Sequence, residues 1–348
     1  MSGRGGVLAV RQDSLGDVLL CGPAIRALAR AEGPLTLLCG ERGAAAARLL
    51  PGVDDGIVWT APWIDPEPAP VDRGECAGLI EAIERRAPRE AVIFTSFHQS
   101  PLPTALLLRL AGVPRIAAIG VDYPGALLDV RHRVPDEIHE VDRALSLAEA
   151  AGHTLAPGDE GRLAVRLDAE PPSLPDEPFF VLHPGASVPA RAWEPQRWAE
   201  LATSLSLRGH RVVITGTLEE LALTRFVAAG APGALDLGGA LELGELAAVL
   251  ARAAAVAVAN TGPAHLAAAV GTPVASLFAP TVPAVRWRPW GVPHELLHRE
   301  VPCAGCRARE CPVEGHPCLY GVEPAEVVAS LERLAGAFAG EAARGVVA

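Results

Sequence analysis

No lysine occurs anywhere in the 348 residues, and all thirty basic side chains are arginine. A cationic clamp for a phosphate must therefore be built from guanidinium groups, which grip oxyanions in a planar, two-point geometry. Long apolar runs are missing as well. Arg, Gly or Pro interrupts the hydrophobic stretches short of the ~20 residues that a membrane helix needs. The start, MSGRGGVLAVRQDS, has no apolar core of a signal peptide, so a soluble, cytoplasmic protein is expected. Positive charge is in deficit: 30 basic against 41 acidic residues leaves −11. That balance argues against a general nucleic-acid binder but leaves room for a local basic pocket for one phosphorylated ligand. No period of a repeat array is present. Half the residues are hydrophobic and one fifth charged, which excludes disordered and fibrous chains.

What is present is an alternation. Short β-like runs at 7–10, 35–39, 57–60, 91–95 and 116–119 are interleaved with helical stretches at 23–31, 42–50, 102–111 and 140–151. Parallel strands need crossover connections, so this alternation predicts a parallel sheet covered by helices. The Pro-rich segment AEPPSLPDEP at 169–178 suits neither helix nor inner strand and reads as a linker. A second alternation follows, with strands at 179–183, 211–215, 255–259 and 273–278 and helices at 196–208, 219–229, 243–253 and 263–270. The expected organisation is one Rossmann-like domain over 1–168 and another over 179–322. A final helix and tail occupy 323–348, with Val327, Val328, Leu331 and Leu334 spaced to pack back on the body.

Three loops carry candidate chemistry. The first, RQDSLGDV at 11–18, ends the first strand, where open α/β sheets bind ligands. Gly16 permits close backbone approach, and Asp17 reads either as a helix-end cap or as a carboxylate able to take a proton from an attacking hydroxyl. The loop holds one glycine, so it is no G-x-G-x-x-G fingerprint. The second, HPGASVPARAW at 183–193, offers the Ser187 hydroxyl and the Arg191 guanidinium to a phosphate, or is an ordinary strand–helix loop. The third, NTGPAH at 260–265, places Thr261 and Pro263 at a helix start whose free amides and dipole suit a diphosphate, with His265 in the first turn. Glu219 and Glu220 can accept from ribose hydroxyls or be exposed helix-start carboxylates. Four of the seven cysteines form a late cluster, Cys303, Cys306, Cys311 and Cys318, readable as a structural zinc site, a disulfide or free thiols. No D-x-D motif accompanies any of these loops.

Taken together, VLAVRQDSLGDVLLCGPAIRALA, VLHPGAS with RAWEPQRWAEL, and ANTGPAHLAAAVGTPVASLFAPT resemble glycosyltransferase family 9, the ADP-heptose lipopolysaccharide heptosyltransferases. The Cys-rich run at 303–318 resembles the tail of one of its branches. The resemblance implies a GT-B fold, two Rossmann-like domains facing across a cleft, with an acceptor-binding first half and a nucleotide-sugar-binding second half. It implies inverting transfer of a heptose or related sugar from an ADP-sugar to an acceptor hydroxyl, for cell-envelope glycan or a glycosylated metabolite. Asp17 falls on the general base. Arg11, Gly16, Ser187, Arg191, Glu220, Asn260, Thr261, Gly262 and His265 fall on donor or phosphate positions. His98 and Asp122 are candidate acceptor contacts, and Trp193 is a packing residue that can also touch the nucleotide. No metal or other cofactor is required by such a mechanism. The partners implied are the donor and a lipid-linked or small-molecule glycan acceptor, with peripheral membrane contact through the acceptor, no nucleic acid, and a monomeric chain. Two positions depart from the family: Asn260 stands where Asp is usual, and Arg191 where Lys is usual. A non-catalytic nucleotide-sugar-binding protein is the alternative reading, and an NAD-dependent oxidoreductase lacks its glycine fingerprint here.

Overall fold

A computed structural model of the chain describes residues 5–345. The chain divides after Arg166 into two compact units. The backbone over 151–178 carries no helix or strand, and Arg166 is still tied to the first unit through its N–H, which donates to the Leu49 carbonyl at 2.8 Å.

The first unit is built on six parallel strands, β1 (Val7–Val10), β2 (Leu35–Cys39), β3 (Asp55–Val58), β4 (Glu90–Ile93), β5 (Ile116–Ile119) and β6 (Val130–His132), in the order β3-β2-β1-β4-β5-β6. The second unit repeats this plan with β7 (Phe179–His183), β8 (Arg211–Ile214), β9 (Leu235–Asp236), β10 (Ala255–Ala259), β11 (Val274–Leu277) and β12 (His294–Leu297), ordered β9-β8-β7-β10-β11-β12. Both orders are that of a doubly wound Rossmann sheet. The inner strands VLAV, FFVLH and AVAVA are buried at every residue, as strands covered by helices on both faces must be.

Among the elements that sequence periodicity missed, four share a reason: little of each is buried. Helix Arg73–Arg86 buries only Leu79 and Ile83. The edge strands β6, β9 and β12 are half-buried throughout. The last helix, Pro324–Gly345, is not a separate tail. Val327, Val328, Leu331 and Leu334 join Trp198, Leu201, Phe180 and Leu182 in the core of the second unit. Among the described residues no helix is long and apolar enough to cross a membrane.

In each sheet the strand order reverses at one point, between β1 and β4 and between β7 and β10. The loops leaving the carboxyl ends at that point splay to opposite sides and leave a crevice for ligand. The loops after β1, β7 and β10 are the three that the sequence singles out.

Candidate functional site

In the first unit, β1 delivers Arg11 into the interior, where it is 2 % exposed. Its guanidinium collects the surrounding anions. Nη2 donates to Asp17 Oδ1 at 2.9 Å and to Ser96 Oγ at 2.8 Å. Nε lies 2.8 Å from Asp13 Oδ2, and Nη1 lies 3.7 Å from Glu140 Oε2. Burial works against the charge of Arg11, but Asp13, Asp17 and Glu140 more than offset it and keep the group protonated. Burial likewise pushes the carboxyls of Asp13 and Glu140 above the usual range, against the pull of Arg11.

Asp17 differs from its two neighbours in access. Its side chain is 19 % exposed, against 10 % for Asp13 and 3 % for Glu140, so it is the most accessible carboxylate of this cluster. It lies in the first turn of helix Leu15–Leu20, whose N-cap is Ser14, so capping is not its role. The Ser14 hydroxyl donates to Asp17 Oδ2 at 2.7 Å, which with Arg11 fixes the rotamer. Gly16 is buried in the same turn. The resemblance places Arg11 among the donor or phosphate contacts; in this structure its guanidinium is enclosed among carboxylates and bonded to Asp17.

His98 and Asp122 are brought together. Both line a pocket of about 150 Å³ at the carboxyl ends of β4 and β5, with Phe97, Gln99, Ser100 and Leu102. Gln99 links this pocket to the arginine cluster: its carbonyl accepts from the Ser96 N–H at 2.9 Å and its amide donates to Asp13.

In the second unit, β7 ends in His183, followed by the Pro184–Gly185 turn, exposed Ser187 and the short turn Pro189–Arg191. Arg191 Nη1 donates to the Asn260 carbonyl at 3.2 Å, so loops from neighbouring strands β7 and β10 are tied at the reversal point. Thr261 occupies the N-cap of helix Gly262–Ala269, yet its hydroxyl makes no capping bond and turns back to the Ala259 carbonyl at 3.4 Å. The first-turn amides at Gly262 therefore lack a side-chain cap, and an anion can supply what the cap does not. His265 is buried in that turn. Trp193 and Trp198 stack edge-to-face at 5.3 Å inside the core. Trp193 is thus a packing residue, and the option of a nucleotide contact falls.

Asn260 has a different task from the one expected. Its Nδ2 donates to the Ala279 carbonyl and its Oδ1 accepts from the Ala279 N–H, each at 3.2 Å. This reciprocal pair staples the end of β10 to the segment after β11, and it requires one donor and one acceptor on the same side chain. Asn260→Asp removes the donor and sets a carboxylate oxygen against a buried carbonyl. The variant is expected to lose ~1–3 kcal/mol of stability in urea unfolding; wild-type stability would show that the pairing contributes nothing.

Glu220, not Glu219, is turned toward the end of β7. Glu219 is exposed, whereas Glu220 is partly buried. Its Oε2 accepts from the Thr217 N–H at 2.8 Å and lies 4.0 Å from His183 Nε2.

Among the described residues no group of three or more His, Cys, Asp or Glu is arranged to hold a metal ion. Cys303, Cys306, Cys311 and Cys318 are free thiols, Cys318 buried and Cys306 exposed. In this structure they are neither bridged in pairs nor gathered round a common centre. His316, inside the same run, is bonded to the Ala190 carbonyl at 3.1 Å.

The contributions of Ser96, Gln99 and Glu140 carry no local sequence signal, because each joins its cluster from a distant strand or helix. Asp13 lay in view within the first loop, and its spacing from Arg11 was the missed cue.

Residues 98–316 match the family model for glycosyltransferase family 9 (heptosyltransferase). This chain belongs to that family. Among curated relatives, lipopolysaccharide heptosyltransferase 1 of Pseudomonas aeruginosa is 32% identical over 61% of the chain and 61% of its own length. Lipopolysaccharide heptosyltransferase 3 of Escherichia coli is 29% identical over 45% of the chain and 46% of its own length. The chain thus spans between about half and three fifths of these relatives. The fold reaches further than the sequence likeness. The structure of E. coli ADP-heptose lps heptosyltransferase II superposes with a TM-score of 0.70 over 95% of this chain and 98% of that one, at 19% identity. E. coli heptosyltransferase WaaC, solved with ADP-2-deoxy-2-fluoro heptose, gives 0.66 over 84% and 93%, at 22% identity. The family 9 chain described here therefore has the GT-B fold, each unit carrying one of its two Rossmann-like sheets.

Proposed function

We propose that this family 9 protein is an inverting glycosyltransferase that moves a heptose or related sugar from an ADP-sugar to an acceptor hydroxyl. The acceptor belongs to a cell-envelope glycan or a glycosylated metabolite. The observation that carries the reading is the state of Asp17: an accessible carboxylate at the strand-order reversal, held in one rotamer by Arg11 and Ser14. Such a group is aimed before substrate arrives, and preorganisation of this kind is where general-base catalysis gains most.

Asp17 takes the proton of the acceptor hydroxyl as its oxygen bonds to the anomeric carbon. The bond from that carbon to the diphosphate oxygen breaks in the same step, and its electron pair leaves with ADP. Arg191, Ser187, His265 and the amides at Gly262 hold the diphosphate and stabilise the charge that gathers there. Glu220 accepts from the ribose hydroxyls. His98 and Asp122 orient the acceptor in the pocket beside Gln99. The name of WaaC's bound ligand, an ADP-heptose analogue, supports the choice of adenine nucleotide. Asn260 does not favour a non-catalytic reading, since its side chain is engaged with Ala279 and the loss of the family's carboxylate has a structural use.

A thermal-shift panel tests the donor class. ADP is expected to raise the melting temperature in proportion to RT ln(1 + [L]/Kd), with UDP and GDP well behind. Equal shifts with all three diphosphates, or none with ADP, would reject the adenine nucleotide.

A further inference from the structure

The carboxylate of Glu220 lies where a side chain at position 185 would begin. An ideal Cβ built on Gly185 would stand 1.9 Å from Glu220 Oε1, 2.0 Å from Cδ and 2.2 Å from Oε2. The whole carboxylate is therefore seated on the bare backbone of the turn that follows β7. Three other groups close the seat. The Thr217 N–H donates to Oε2 at 2.8 Å. A Cβ on Gly216 would stand 3.2 Å from the same oxygen. Behind it stands His183, 5 % exposed, with Nε2 at 4.0 Å from Oε2. His183 is itself fixed, because Nδ1 is hydrogen-bonded at 3.0 Å to the hydroxyl of Thr215, which is 0 % exposed. Glu220 hangs from a three-residue turn, Leu218–Glu220, and without this seat its long side chain would be free to reach solvent.

We propose that Gly185 and His183 determine nucleoside specificity in this site: Gly185 leaves the space that Glu220 occupies, and the Thr215-anchored imidazole, 4.0 Å from Oε2, backs the carboxylate so that it stays turned toward a ligand's vicinal diol. This rests on the reading of Glu220 as the ribose acceptor and adds the residues that give it one position. A carboxylate with one oxygen on Thr217 has the other oxygen available, and a fixed acceptor discriminates against a ligand that lacks the matching hydroxyls because it is then left unpaired. Burial lowers the proton affinity of His183 against the pull of Glu220, and Nε2 carries the ring proton on the side of Glu220 when Thr215 donates to Nδ1. Neither residue belongs to the set assigned above to the diphosphate. Their effect should therefore be confined to the sugar hydroxyls of the nucleoside.

The experiment compares dissociation constants of the full chain for ADP, 2′,3′-dideoxy-ADP and inorganic pyrophosphate by calorimetry. Wild type is expected to favour ADP over the dideoxy analogue by roughly ten-fold or more. Gly185→Ala and His183→Leu are expected to bring that ratio close to one while pyrophosphate binds as in wild type. His183→Gln, whose amide nitrogen reaches the place of Nε2, is expected to keep most of the discrimination. A purely structural role would lower all three affinities together and would leave the ratio alone. Should His183→Leu fail to fold, Gly185→Ala decides, since the three heavy atoms nearest its added methyl all belong to the Glu220 side chain. A wild-type ratio in Gly185→Ala, or in a folded His183→Leu, overturns the proposal. Glu220→Gln separates the two levels: if it too keeps the wild-type ratio, the ribose role of Glu220 is wrong; if it abolishes the ratio while the other variants retain it, only the seat is wrong. A wild type that does not bind ADP removes the donor reading and this inference with it.

Discussion

Asp17→Asn should abolish sugar transfer while leaving ADP affinity nearly unchanged. The amide is isosteric and can still contact Arg11 and Ser14, so the loop keeps its shape. What is lost is the basic oxygen, and general-base assistance contributes about 10²–10⁴ in rate. ADP is expected to bind through the loops after β7 and β10, which belong to the other unit, so calorimetry with ADP should barely register the change. Near-normal turnover in Asp17→Asn would remove the base assignment. Loss of ADP binding would instead place Asp17 on the donor.

Arg191→Ala should produce the converse result. Its guanidinium is tied to the Asn260 carbonyl and is thereby held beside the Gly262 helix start. A charge-assisted hydrogen bond contributes ~1.5–3 kcal/mol, which is about 10- to 150-fold in the dissociation constant of ADP. Arg191→Lys keeps the charge but loses the second donor and should fall between. Unchanged ADP affinity in Arg191→Ala would show that the diphosphate lies elsewhere. The two variants together separate proton transfer from donor binding, one in each unit.

The parts of the fold that sequence made legible are those with the most burial. The bounds of β1, β5, β7 and β10 agree with the apolar runs at 7–10, 116–119, 179–183 and 255–259, because strands covered on both faces must be apolar throughout. β3 begins earlier, at Asp55, since an exposed Asp-Gly start gives no hydrophobic signal. Helix Arg73–Arg86 went unread for the same reason. The three loops were legible as candidates because each follows a buried strand, and the strand order puts all three at the reversal points. The roles inside the loops were less legible. The resemblance set Arg11 among the phosphate contacts, and nothing local shows Ser96 or Glu140; the partner serine is 85 residues away in the chain. Asn260 looked like a change in the donor pocket because Ala279, which its amide grips, lies beyond the next strand. Side chains that act through long-range pairs are settled by topology, and a single sequence displays only their identity.

Direct, single-step displacement assisted by Asp17 makes one stereochemical demand. Proton NMR of the wild-type protein with ADP-heptose and water as acceptor reads the anomer of free heptose in the first minutes, before mutarotation mixes the two. The configuration opposite to that of the donor should appear first. First appearance of the donor's own configuration would mean two displacements or a different attacking face, and would contradict the mechanism built on Asp17.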